Sequence, residues 1–170
     1  MNDALIAWAQ QNAHYALLLV PLFAFMETCV GIGIFVSSLF LVIVCSVYYA
    51  GDVASVPTMA VLALLGSSAG DHVGYYVGRA IGHRVHELPI VRRNQNKWDR
   101  TEALVRRFGP GAILIGRFVP AIRSLVPAMM GISEFPRARY TAYDLLACSL
   151  WATALAGIVW GAHEVFVRAT

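Results

Sequence analysis

The chain has 170 residues, of which 58% are hydrophobic and only 14% charged, with a net charge of +3, and its mean hydropathy is positive. That composition lies outside the range of an ordinary soluble domain and points to an integral membrane protein. Cys29, Cys45 and Cys148 are odd in number, sit among apolar residues and lack metal-ligand spacing. This argues against a disulfide framework or a zinc site and leaves them as small packing residues.

Residues 1–14 mix Ala4, Leu5, Ala7 and Trp8 with Gln10 and Gln11 and carry only Asp3, so no removable signal is expected. The segment suits a short interfacial helix with Trp8 at headgroup level. From Ala16 to Ala50 the chain is almost continuously apolar, about 35 residues, against the roughly 20 that cross a bilayer core. A break near Glu27, Gly31 and Gly33 turns this stretch into a hairpin, and irregular backbone at membrane depth is tolerated only inside protein or beside a wet cavity. Residues 57–82 read as a helix whose Gly66, Ser67, Ser68, Ala69, Gly70, Gly74 and Gly78 allow close approach of neighbours.

Between Arg79 and Arg107 lie eight of the thirteen basic residues against three acids, Glu87, Asp99 and Glu102. The positive-inside rule places this segment in the cytoplasm. Its pinning between membrane segments, with Trp98 as the one aromatic residue in the run, disfavours a nucleic-acid surface, and no nucleic-acid partner is expected. A surface helix over 96–108 ends at Gly109-Pro110. The stretch 110–131 is apolar yet holds Arg117 and Arg123, and its Pro120, Pro127 and Gly131 do not fit one regular helix. It reads as a second broken hairpin, hinged with Gly31 and Gly33 in the first. A last helix spans about 136–163, with Arg137 and Arg139 on the cytoplasmic side.

The expected architecture is thus an all-α polytopic bundle with two re-entrant hairpins in an inverted repeat. The first repeat covers about 15–82, the basic loop 83–108 and the second repeat about 109–165. Gly74 and Gly78 fall at places matching Gly157 and Gly161. Broken segments at corresponding positions of two halves mark binding sites in transporters.

Two guanidinium groups at membrane depth cost roughly 2.5 to 3.5 kcal/mol each on insertion scales, so they need partners. Their planar forks suit a phosphate, which makes Arg117 and Arg123 the substrate-binding candidates for an anionic lipid headgroup. Alternatively, one snorkels to an interface while the other pairs with Glu27 or Asp71. Glu27, buried among Phe23, Phe25 and Met26, is either a proton-coupling group or half of a structural ion pair. Asp71 shares a helix face with Tyr75 and Gly78 and points into the bundle, either as a second such group or as a partner for hydroxyls and backbone. His72, next to it, faces elsewhere and is left out of the site. The chain carries no Ser-His-Asp arrangement, His-Glu-x-x-His or phosphate-cradling glycine loop, so no enzyme, cofactor or metal is expected.

Phe108-Gly109, the run from Gly116 to Pro127 and Gly131 resemble the signature of the DedA (VTT, SNARE-associated) membrane proteins. Gly70-Asp71, Tyr75, Gly78-Arg79 and Gly82 resemble the family's first-repeat helix, and Glu27 its membrane-embedded acid. The resemblance implies a bacterial inner-membrane protein that translocates undecaprenyl phosphate or a phospholipid, dependent on the proton-motive force, with Arg117 and Arg123 as the essential arginine pair. Two departures stand out: Phe35-Val36-Ser37-Ser38-Leu39 lacks the usual proline and second acid, and Asp144 stands where an asparagine often opens the last conserved helix. Two other readings remain open. One is a proton-coupled ion or small-solute exchanger carried by Glu27 and Asp71. The other is a non-transporting membrane factor needed for envelope integrity, and in either case homo-oligomers could form.

Overall fold

The computed structural model describes residues 11, 13–29, 38–87, 89–119 and 122–169, and among these the chain is all-helical. In order come α1 (Ala13–Thr28), α2 (Ser38–Ala50), α3 (Val56–Ile81), a 3-10 segment (Gly82–Glu87), α4 (Pro89–Arg93), α5 (Gln95–Phe108), α6 (Gly111–Arg117), α7 (Leu125–Ile132) and α8 (Arg137–Ala169). The expected interfacial helix over 1–14 falls almost wholly outside the described residues. So do the hinge positions Gly31, Gly33 and Pro120.

Local chemistry sets the ends of these elements. Ser55 caps α3 by accepting from the Thr58 N–H, and Pro57 follows in the first turn, where a missing N–H costs nothing. Gly82 and Gly109 close α3 and α5 at φ of +55° and +54°, the left-handed conformation that glycine adopts without strain. The basic segment is therefore helical, and α5 lies with Trp98 and Thr101 inward while Arg100, Arg106 and Arg107 face out.

Helix α3 is the spine of the bundle, and its small residues set how closely the others approach. Gly66 lies against the backbone of Pro21 in α1, and Gly70 against Thr28 and the Phe25 carbonyl. Gly78 faces the Ala128 carbonyl of α7, while Gly131 of α7 faces the Tyr75 carbonyl of α3. At each of these four positions a Cβ would collide with backbone, so contact at this distance requires glycine. Helix α8 runs antiparallel to α3: Met59 and Ala63 share a core with Leu155 and Val159, and Tyr75 stacks on Tyr140 with ring centroids 4.3 Å apart. A third cluster, formed by Val85, Val91 and Trp98 with Leu125 and Met129, seats the basic segment beneath α7.

Pro127 and Gly131, expected as hinges, lie within α7 and do not interrupt it. Pro127 occupies the first turn of α7, where its absent N–H would have no intrahelical partner, and Gly131 serves close packing on α3. Helix α6 ends at Arg117 and α7 begins at Leu125, and Glu134, with φ of +53°, lies in the turn that follows α7. The correspondence of Gly74 and Gly78 with Gly157 and Gly161 also fails as a packing match. Gly78 abuts α7, but the Cβ positions of Gly157 and Gly161 point into open space.

The apolar surface fits a lipid environment. Residues 137–162 of α8 are long and apolar enough to cross a bilayer. Leu145, Leu150, Ile158 and Trp160 of α8 and Leu39, Phe40 and Ile43 of α2 face outward, a large apolar area for water to cover. Helices α6 and α7, with seven and eight residues, extend only about 10 to 12 Å each, too short to cross alone.

Gly131→Ala should lower stability by about 1 to 3 kcal/mol, because the added methyl meets backbone that cannot move aside. Gly157→Ala, in open space, should stay within about 0.5 kcal/mol of the parent. Thermal unfolding in detergent checks both, and equal midpoints for the two variants would contradict the packing argument.

Candidate functional site

Charge at the centre of the bundle is paired across elements far apart in sequence. Arg117, the last residue of α6, makes a close ion pair with Asp71 of α3. Arg123, in the connection between α6 and α7, pairs closely with Glu27 near the end of α1 and also donates to the Glu27 carbonyl at 3.1 Å. All four side chains are more than nine-tenths buried. The structure thus brings together the four charged residues singled out in the sequence and assigns each arginine its acid.

The elements aim these groups for physical reasons. A cation at the C-terminal end of α6 meets the negative end of the helix dipole. Trp151 of α8 lies under the Arg117 guanidinium, 5.3 Å from its ring centroid, a cation–π contact that fixes the plane of the fork. On α1, Thr28 donates to the Ser67 carbonyl at 3.0 Å, which ties the end carrying Glu27 to α3. Arg117, Arg123, Asp71 and Asp144 line one cavity with Ile113, Val126 and Pro127. It is about 10 Å³, room for about one water molecule.

Around Asp71 lies a second group of polar residues outside the expected site. Asp144, 1% exposed, accepts from the Ser68 hydroxyl at 2.6 Å. The Cys148 thiol points at both carboxylates, 3.7 Å from Asp144 Oδ1 and 3.9 Å from Asp71 Oδ2. Cys148 is therefore part of the polar cluster and does more than fill space. His72 Nδ1 lies 3.5 Å from Asp144 Oδ2 and 2.8 Å from the Ser68 carbonyl, so His72 belongs to the site from which it had been excluded. Adjacent residues of α3 both face protein because α1, α7 and α8 surround this helix on several sides. Asp144 carried a readable signal: it is the sole acid between Glu134 and Glu164, in an otherwise apolar run, the same pattern that drew attention to Glu27.

Comparison with known proteins identifies the family. A VTT domain is matched over residues 35–161, three-quarters of the chain. The inner membrane protein YabI of Escherichia coli (strain K12) is 27% identical over 151 residues, covering 89% of this chain and 59% of that protein. Protein DedA of the same strain is 31% identical over 114 residues, 61% of this chain and 51% of its own length. The inner membrane protein YqjA is 28% identical over 131 residues, 75% of this chain and 60% of its own length. The chain thus spans about three-fifths or less of the length of these relatives. No solved structure matches it. The domain match, relatives named as membrane proteins and the apolar helical bundle lead to one assignment: the chain belongs to the VTT-domain family, and it is a DedA-family membrane protein.

Proposed function

We propose that this protein moves a lipid bearing an anionic phosphate headgroup, such as a polyprenyl phosphate or a phospholipid, between the leaflets of the bacterial inner membrane. The observation that carries the reading is the convergence of two buried guanidiniums on one cavity inside an apolar bundle. Guanidinium is the cation best suited to phosphate, through two parallel N–H bonds. The cavity in this state has room for little beyond a water molecule, so the lipid headgroup enters when the pairs open. Arg117 and Arg123 then exchange Asp71 and Glu27 for phosphate oxygens. In this reading the helices from α1 to α2 and from α6 to α7 form two re-entrant hairpins of an inverted repeat, and the basic segment 79–107 lies on the cytoplasmic side.

The test is flux of a fluorescent lipid phosphate in vesicles reconstituted with the purified protein. Arg117→Ala and Arg123→Ala should each reduce flux about ten- to a hundredfold, the equivalent of a lost charge-assisted hydrogen bond of about 1.5 to 3 kcal/mol. Unchanged flux in both variants would remove the site.

A second reading is favoured by the pairing itself: each guanidinium already has a carboxylate, so the charges could act only to lock the elements together. Removing one partner of a buried pair costs about 3 to 5 kcal/mol, so Glu27→Gln should destabilise under either reading. The exchange Glu27→Arg with Arg123→Glu separates them. Under the transport reading the exchanged protein regains stability in detergent but not lipid flux, whereas recovery of both would favour the lock.

A further inference from the structure

Among the described residues, the buried charged side chains are Glu27, Asp71, Asp144, Arg117 and Arg123, three carboxylates against two guanidiniums. Glu27 is matched by Arg123 and Asp71 by Arg117. That leaves Asp144 over, held by a hydroxyl, a thiol and an imidazole instead of a permanent cation. The groups facing it come from every neighbouring element: Asp71 and His72 from α3, Arg117 from α6, Arg123 beyond it, and Cys148 on its own helix. One unmatched carboxylate in an apolar interior, with a second carboxylate beside it, is expelled, neutralised or protonated. Asp71, Asp144 and Cys148 lie close enough to suggest a metal, but the Arg117 guanidinium already occupies Asp71.

The geometry around His72 supplies a way in for a proton. The Ser68 carbonyl can only accept, so His72 carries its hydrogen on Nδ1, 2.8 Å away. The Nε2 of the neutral ring then accepts from the Thr141 hydroxyl at 3.0 Å. The His72 side chain is 25% exposed, whereas that of Asp144 is 1% exposed. The ring is thus partly exposed while its Nδ1 stands 3.5 Å from the buried carboxylate. A proton taken up at Nε2 makes the imidazolium and the Nδ1 hydrogen passes to Asp144 Oδ2, which leaves a neutral ring with its hydrogen on Nε2, donated to the Thr141 hydroxyl. The net change is one proton moved from water to a carboxylate.

We propose that Asp71 and Asp144 share one proton, and that His72 is its port of exchange with the aqueous side. Resting on the lipid-phosphate reading above, this couples the site to protons. Loss of the proton places a second negative charge beside Arg117 and holds the guanidinium back from phosphate, and its gain frees the guanidinium. Arg117 Nε fits that role: it is buried and has no hydrogen-bond partner among the described residues, so a phosphate oxygen reaching the cavity would give it one.

Infrared spectroscopy of the purified full chain at neutral pH tests the proposal. The parent should show the carbonyl stretch of a protonated carboxylic acid. The band should vanish in Asp144→Asn and in Asp71→Asn, each of which leaves one carboxylate for Arg117, and persist in Glu27→Gln. Its shift on transfer to heavy water should be slowed roughly a hundredfold in His72→Gln. A parent without the band, or a band that survives Asp144→Asn, would overturn the shared proton, and an unchanged exchange rate in His72→Gln would overturn the port. The spectrum reads the protein alone. Absence of the band would leave the arginines' part in lipid flux standing, and failure of flux would leave the band unaffected.

Discussion

The constraint on which the rest of this structure depends is that a guanidinium cannot sit in an apolar interior without an opposite charge. Two arginines within a stretch of apolar residues force two carboxylates to the same depth, and those carboxylates come from different elements. The Asp71–Arg117 pair joins α3 to α6, and the Glu27–Arg123 pair joins the end of α1 to the start of the turn into α7. Such pairs offset their own desolvation at best, so they are weak as stabilisers and strong as specifiers of which helix meets which.

Close packing makes that geometry attainable. Asp71 reaches Arg117 because Gly66 and Gly70 let α1 close on one side of α3, while Gly78 and Gly131 let α7 close further along the same helix. Tyr140 donates to the Asp71 carbonyl at 3.1 Å and stacks on Tyr75, so α8 holds the α3 backbone at the height of the site. The polar cluster is thus enclosed by aromatic and small residues in turn, with α5 and Trp98 beneath α7. Opening the cavity to admit a headgroup by moving α7 against α3 would break contacts made of backbone on backbone.

Much of this was legible in the sequence, for identifiable reasons. Pro57, Gly82 and the Gly109-Pro110 pair announce helix boundaries through backbone chemistry that tertiary contacts rarely override, and α3 and α5 follow them closely. Arg117, Arg123, Glu27 and Asp71 stand out because a charge among apolar residues needs a reason. Their pairing was not legible, since Asp71 and Arg117 are 46 residues apart and Glu27 and Arg123 are 96 apart, distances over which spacing carries no information. For His72, the rule that adjacent residues face apart holds for a helix at a surface and fails for one enclosed by several partners. Pro127 and Gly131 look like breaks because their propensities disfavour helix interiors, yet a first turn accepts proline and a close crossing demands glycine.

On the proposed reading, the paired arginines are a phosphate site held ready inside the membrane. Mass spectrometry of the lipids that accompany the purified protein addresses it most directly. A lipid phosphate should travel with the parent and be lost when Arg117 and Arg123 are both replaced by alanine. The same lipids, in the same amounts, on both proteins would contradict it.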